Sequence, residues 1–421
     1  MDEQLLQYIW QYRLYVPGAL QTLCGKEIVV LSPGNLNRDQ GPDFLHARIR
    51  INGTEWAGHV ELHVLSSDWQ LHGHDQDPHY SNVILHVVWQ HNREVLLPFP
   101  TLVLRDYTTL SLLQRYVTMH ISNEVLPCAS LCSSVPDLII KKSLERTLID
   151  RLDDRSDQIL TLLKKHNGDW DLICWMLIAK SLGGNINGFA FEQMIQAMPA
   201  TMLKRLSKDN LKTEACFLGL ANMLEGTFTD EYPNQLQEIF HFEKQKYKLP
   251  QLSISVSYFR MRPSGFPTLR MSMLAGMLTS GFSMSALLSD SISIAELRSK
   301  LSLQPSSYWN HHYRFDRLAK KSVSFSLSTL QDLLIVNACA PVIYAYGRYL
   351  HNSILQESSI ELLTSLQAEN NRIVRHFSDV GICAENTAES QGIIQLYKEY
   401  CMKKRCLQCG IGLSVLKKQE I

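Results

Sequence analysis

The chain has no excess of either charge: across its 421 residues, 41 Lys and Arg balance 41 Asp and Glu. Nothing global therefore draws it to a nucleic acid or a membrane surface, although neutrality is compatible with a local patch. No uninterrupted apolar run reaches the roughly eighteen residues needed to span a bilayer. The longest candidate, LLIVNACAPVIYAYG, is cut by Asn337 and Pro341 and reads as a buried helix. The opening MDEQLLQYIW is acidic and has no cationic leader region. No secretory signal is expected, so the chain is assigned to the cytoplasm with no membrane partner. Cysteine is sparse, ten in all, and six are scattered. That argues against a disulfide framework and for a reducing compartment. Internal repeats and low-complexity segments are absent, and nothing in the chain speaks to its oligomeric state.

What remains is a globular composition, 45% hydrophobic and 19% charged, with a change of pattern along the chain. Residues 1–126 predict a mixed α/β sheet domain. Apolar Leu5, Leu6, Ile9 and Trp10 have helical spacing over 2–15, and 27–31 is a short β run. Leu45–Ile51 and Trp56–Leu65 flank Asn52-Gly53, a strong hairpin signal. Residues 68–80 read as an irregular helix or loop, 83–89 as a strand buried on both faces, and 94–104 as an edge hairpin. PCASLCSSVPD at 127–137 is a linker candidate. From 138 to 421 the pattern is helical, with stretches at 144–166, 169–184, 189–206, 214–225, 267–288, 293–302, 327–350 and 358–378. The expected class is α+β, with a sheet domain followed by a mainly helical one.

The chemistry concentrates in the first part. Eight of the fifteen histidines lie between His46 and His91, among acids and tryptophans. Such side chains bind divalent metals and move protons near neutral pH. Strand alternation places Val60, Leu62 and Val64 on one face of AGHVELHV and His59, Glu61 and His63 on the other. Asp43 precedes the neighbouring strand across the hairpin. Two carboxylates joined in this way can hold Mg²⁺ with open water positions. HGHDQDPHY offers a second ligand set, His72 and His74 with Asp75, Asp77 and His79, suited to Zn²⁺ or Mn²⁺. Residues i and i+2 diverge on a helix, so a joint role for His72 and His74 requires a loop or strand. His86, in an apolar strand, reads either as a satisfied core residue or as one end of a hydrogen-bond network into a site.

The order helix, strand, Pro42-Asp43, Glu61-Leu62-His63, the 68–80 segment and strand 83–89 resembles the PD-(D/E)xK nuclease core. That resemblance implies a restriction-endonuclease-like sheet, with Asp43 and Glu61 binding Mg²⁺ and His63 orienting the attacking water. The chain departs from the pattern by carrying His63 where the core has lysine, and histidine is not a permanent cation. The chain also resembles an uncharacterised bacterial family, a domain of unknown function common in Bacteroidetes. The residues that carry this are Gly41-Pro42-Asp43-Phe44, WAGHVELHV with SSDW, His72, His74, NVILHVVW and, near the end, YCMKKRCLQCGIG. This second resemblance implies no activity.

In the helical part, Arg262 and Arg270 flank Phe266-Pro267 near a helix start and are candidate contacts for an anionic substrate, with His86 as a third. YWNHHYRF at 308–315 reads as an aromatic contact between domains, or as a surface that stacks a base. Cys401-x4-Cys406-x2-Cys409 has spacing that lets the thiolates share a metal, either zinc or an iron–sulfur cluster. Cys383, His376, Cys128 and Cys132 compete for the fourth position. The primary expectation is a metal-dependent phosphodiesterase or nuclease acting on nucleic acid. The alternatives are a non-catalytic binding or assembly protein with a degenerate nuclease-like domain, and a zinc hydrolase built on His72 and His74.

Overall fold

The computed structural model describes residues 1–16, 20–122, 124–288 and 292–417. The chain divides into two compact units: Met1–Ser143 with Arg375–Ile382 and Leu396–Ile421, and Leu144–Val374 with Cys383–Gln395. The class is α+β, a sheet-bearing N-terminal region followed by a helical one. The C-terminal cysteine segment, expected at the end of the helical domain, belongs to the first unit.

The first unit opens with α1 (Glu3–Gln11), capped by Asp2, whose side chain accepts from the Leu5 amide. This helix ends four residues before the expected Tyr15. Its buried face is the predicted one, Leu5, Leu6, Ile9 and Trp10, joined by Tyr8. A seven-stranded sheet follows. Its strands are β1 (Leu20–Gln21), β2 (Glu27–Ser32), β3 (Asn35–Leu36), β4 (Phe44–Ile51), β5 (Thr54–Leu65), β6 (Val83–Gln90) and β7 (Thr101–Val103). β2, β4 and β5 form an antiparallel meander, and β3 also pairs with β4. β6 joins β5 in parallel, and β7 joins β6 in parallel. The expected edge hairpin at 94–104 is therefore a single short parallel edge strand. Pro98 and Pro100 keep the chain before it out of the ladder.

The Asn52-Gly53 turn forms where the dipeptide predicts it, with both residues at positive φ, 47° and 86°. β4 then holds a bulge. Phe44 pairs with Val60 and Ala47 with Gly58, so Leu45 and His46 together oppose one residue, and His46 takes φ 58°. A bulge re-aims the side chains on either side of it. Phe44 and Ala47, three residues apart, are both fully buried. Asp43 is thereby left on the sheet face that also carries Glu61. The β5–β6 crossover contains only α2 (Asp68–Leu71) and two short 3₁₀ turns, His74–Gln76 and Pro78–Tyr80. α3 (Leu110–Ile121) follows β7. The linker candidate at 127–137 instead contains a 3₁₀ turn, Ala129–Ser134, with Cys132 buried.

The second unit is helical and is organised around one continuous apolar cluster. Within α4 (Trp170–Gln196) the expected Gly-Gly stop appears as a sharp break at Gly184, φ 61° and ψ −160°, after which the helix resumes. Helix Glu231–Tyr247 was not apparent in the sequence: its buried positions are only Pro233, Leu236, Phe240 and Glu243 among many charges. Leu327–Tyr349 is long and apolar enough to cross a membrane by length and composition, and 67% of its most apolar window is buried in the fold. A π-helical stretch at Ile335–Cys339 directly precedes the α-helical turn that carries Pro341. Trp309 is wholly buried and donates from Nε1 to Glu214 at 2.5 Å, with Ser272 donating to the same carboxylate at 2.7 Å. The 308–315 segment thus anchors the interior of this unit through Trp309, and Tyr308 stacks on His312 at 4.0 Å.

Candidate metal centre

β4 and β5 clamp the two expected carboxylates together. The Asp43 amide donates to Glu61 Oε2 at 2.9 Å, and the Leu62 amide donates back to Asp43 Oδ2 at 3.0 Å. Gln7 on α1 donates to Asp43 Oδ1 at 2.8 Å. Both Asp43 oxygens are thus engaged by protein donors, and one Glu61 oxygen is fixed. The second, Oε1, turns to the histidines: His74 Nε2 lies 3.3 Å away and His63 Nε2 3.5 Å away. His63 Nε2 is also 3.2 Å from His72 Nδ1. The other nitrogen of His63, Nδ1, meets His86 Nε2 at 2.9 Å.

The parallel register explains part of this convergence, since Glu61 stands beside His86 and on the same face as His63. The crossover explains the rest. Gly73 takes φ 72° between α2 and the next 3₁₀ turn. That left-handed turn, which glycine adopts freely, lets His72 and His74 face one point although they are two residues apart. The nitrogens of His63, His72 and His74 all lie within 4.8 Å of one another. Trp69 supplies the apolar wall, with its ring 5.3 Å from both His74 and His86, and Tyr80 stacks on His74 at 3.9 Å.

Burial sets the electrostatics. Glu61, His63 and His86 are 5%, 1% and 0% exposed, whereas His72 is exposed at the mouth. Desolvation, and then the Asp43 charge, push the Glu61 carboxyl up to about 9. Desolvation with the nearby Glu3 charge lifts Asp43 to about 7, against the lowering effect of its hydrogen bonds. Desolvation, reinforced by the other imidazoles, depresses His63 to about 2, and His86 falls to about 3. These shifts share one physical cause: burial, in a cluster crowded with groups that a cation would satisfy. His74 Nε2 is buried there, 3.3 Å from Glu61 Oε1 but without a well-aligned hydrogen bond among the described residues.

The donor atoms fit an ion closely. Ligands 2.0–2.1 Å from a tetrahedral ion stand about 3.3–3.4 Å apart, and three of the separations here are 3.2, 3.3 and 3.5 Å. His63 would ligate through Nε2 and donate from Nδ1 to His86, a partner that fixes tautomer and ring orientation.

Other expected residues fall elsewhere. His59, expected beside Glu61 and His63, is half-exposed and accepts from the His46 amide at 3.3 Å. The bulge opposite it accounts for the change. Asp77 caps the turn at Pro78–Tyr80 and pairs with His79 at 2.7 Å. Arg262 and Arg270 belong to the second unit. Arg262 is exposed, while Arg270 is half-buried with Nε and Nη1 lacking hydrogen-bond partners among the described residues. Gln7, Glu3 and Trp69 were not expected at the site. The sequence signal for the first two was a pair of polar residues, Gln7 and Glu3, four apart on one helix.

The chain belongs to the family described as "Protein of unknown function (DUF2851)", which matches residues 3–372. No curated protein and no solved structure matches it.

Proposed function

We propose that the chain is a metal-dependent hydrolase whose ion is held by Glu61, His63 and His74, with His72 at the mouth and a phosphodiester as substrate. The observation that carries this reading is the convergence of Glu61 Oε1, His63 Nε2, His74 Nε2 and His72 Nδ1 at ligand spacing in a dry pocket. Imidazole-rich sets suit zinc, manganese or iron better than Mg²⁺, which prefers oxygen. The expected magnesium site thus becomes, on this reading, a transition-metal site. Such an ion would lower the pKa of a bound water and polarise the phosphoryl oxygen. Of the chain's own groups, Asp43 positions Glu61 through its amide, and His86 orients His63. His72, exposed and 3.2 Å from His63, is placed to bind the incoming group or take a proton from it. The phosphodiester assignment draws on the order α1, antiparallel meander, crossover and parallel strand, with Asp43 just before β4 and Glu61 on the adjacent β5.

A second reading rests on the same geometry. If all four donors ligate, the site is closed and structural, as in a binding or assembly protein. The variant His72→Ala separates the two. The hydrolase reading expects metal content near that of the unaltered protein and at least a tenfold loss of turnover on bis(p-nitrophenyl) phosphate or on DNA and RNA with Zn²⁺ or Mn²⁺. Loss of the metal with His72, or no turnover of any of these by metal-loaded unaltered protein, sinks the hydrolase reading. Glu61→Gln and His63→Ala should each abolish metal binding at this histidine site.

A further inference from the structure

Five of the ten cysteines lie on neighbouring turns of the first unit, drawn from segments about 270 residues apart. Cys128 and Cys132 flank and enter the 3₁₀ turn Ala129–Ser134, with their sulfurs 3.5 Å apart. Cys401 closes the π-helical stretch Leu396–Cys401, Cys406 opens the 3₁₀ turn Cys406–Gln408, and Cys409 follows it. The helix Gly410–Lys417 packs against both of the 3₁₀ turns. That packing is close: a Cβ at Gly412 would stand 2.3 Å from the Cys406 carbonyl oxygen, and one at Gly410 would stand 2.4 Å from Ser143 Oγ. The thiols of Cys401, Cys406 and Cys409 are within electrostatic reach of one another, and Cys128 is within reach of Cys401 and Cys406. Cys132 is within reach of Cys401 and Cys409.

Apolar packing does not account for this segment. Between 401 and 409 the buried positions are Cys406 and Cys409 alone, and Met402, Lys403, Lys404 and Arg405 are exposed. Lys404 Nζ reaches the His120 and Ser122 carbonyls, both at the surface. A stretch of short irregular turns whose only interior atoms are sulfurs needs something for those sulfurs to hold. Three buried thiols, Cys132, Cys406 and Cys409, with the half-buried Cys128 and Cys401 beside them, form a poor core. Deprotonated, they form a strong soft-metal site. Sulfurs around a tetrahedral zinc at about 2.3 Å stand about 3.8 Å apart, close to the Cys128–Cys132 separation of 3.5 Å. Of the other candidates for the fourth ligand, Cys383 is exposed and belongs to the second unit.

We infer that four of Cys128, Cys132, Cys401, Cys406 and Cys409 form a thiolate centre for zinc or an iron–sulfur cluster, joining the C-terminal segment to the turn after α3. The centre is independent of the histidine site.

The test uses the full chain carrying His63→Ala and His74→Ala, so that only a thiolate site remains to bind metal, purified anaerobically without chelator. Zinc at about one equivalent per chain, or iron with matching acid-labile sulfide, is the expected result. The first identifies a single ion and the second a cluster. Cys406→Ser with Cys409→Ser should lower that content at least tenfold. To guard against misfolding of the double variant, the unaltered cysteine set is reconstituted with Co²⁺, and intense thiolate-to-cobalt charge transfer is expected. The inference is overturned by metal-free protein whose five thiols all react with a thiol reagent under native conditions. It is equally overturned by a Cys128–Cys132 disulfide in the anaerobic protein, or by metal content unchanged in the double variant.

Discussion

Replacing Glu61 with glutamine should remove a pH dependence from the stability of the metal-free protein. In the folded pocket this carboxyl is pushed up to about 9 by desolvation and by Asp43. In the unfolded chain it titrates near its ordinary value of 4.5. A folded value above the unfolded one means that the stability contribution is complete below 4.5 and is lost as pH rises through about 9. Each pH unit inside that window costs about 1.4 kcal/mol for one proton held only by the folded state. From pH 7.5 to 9 the loss is therefore about 2 kcal/mol. Asp43, lifted to about 7, has largely finished titrating by then.

The two histidines act with the opposite sign. His63 and His86 are depressed to about 2 and 3, so their contribution is present above the ordinary value of 6.5 and is lost as pH falls. Between about pH 4.5 and 6.5 the folded state holds two carboxyl protons and the unfolded state two imidazole protons, and the slopes offset. The metal-free protein should thus be most stable in that interval. The assay is urea unfolding in the presence of EDTA at several pH values, for the unaltered protein and for Glu61→Gln. The difference in unfolding free energy between the two should change by about 2 kcal/mol from pH 7.5 to 9. A variant that loses as much stability as the unaltered protein over that range refutes the pocket electrostatics. Adding Zn²⁺ or Mn²⁺ to the unaltered protein should reverse the trend, because the ion displaces the Glu61 proton and binds more tightly as pH rises.

His86→Phe leaves His63 Nδ1 without its partner and should weaken metal binding 10- to 100-fold, measured by competition with a chromogenic chelator, with an unchanged circular dichroism spectrum. Gly58→Ala places a methyl 2.4 Å from Ile84 Cγ2 and 2.6 Å from the Asn82 carbonyl. It should cost about 2 kcal/mol or more, and a change under about 0.5 kcal/mol would refute the close strand contact. Glu214→Ala strands the Trp309 Nε1 and Ser272 hydroxyl donors in the interior of the second unit. The expected loss is about 3–5 kcal/mol, with metal content per folded chain unaltered, read by thermal unfolding and elemental analysis.

Periodicity carried much of the first unit. The alternation of AGHVELHV set the face on which Glu61 and His63 lie, and Asn52-Gly53 set the turn that brings β4 back against β5. Where reading failed, a local irregularity intervened. The bulge at Leu45–His46 adds one residue to β4, and it leaves His46 with His59 while Asp43 meets Glu61. No residue type in that stretch announces it. The edge hairpin failed for a different reason: two prolines mark where pairing stops, but not whether the strand beyond runs parallel or antiparallel. Helix Glu231–Tyr247 was missed because few of its positions are apolar. The cysteine tail was recognised by spacing, with Cys128 and Cys132 among four candidates for a further ligand; that the turn carrying these two lies against the C-terminal helix depends on a chain reversal that no local pattern encodes.

His72 and His74 show most directly what a sequence can and cannot settle about a metal site. On a helix or strand their spacing would forbid or require a shared direction. On the crossover, direction is set by Gly73 at φ 72° and by Tyr80 stacking on His74. Neither constraint is visible as a motif, yet together they turn a polar loop into the lid of a pocket whose floor, Glu61, His63 and His86, is built on adjacent strands. A floor built on paired strands and ligands carried on an irregular crossover make a clear mechanical prediction. Gly73→Val would force a β-branched residue into the left-handed region, at a cost of about 1–3 kcal/mol. That strain falls on the crossover and leaves the strands alone. Metal affinity should drop by about 10- to 100-fold, while global unfolding of the metal-free protein changes little. Equal losses of affinity and of metal-free stability would show that the crossover is part of the folding core and not a separately adjustable lid.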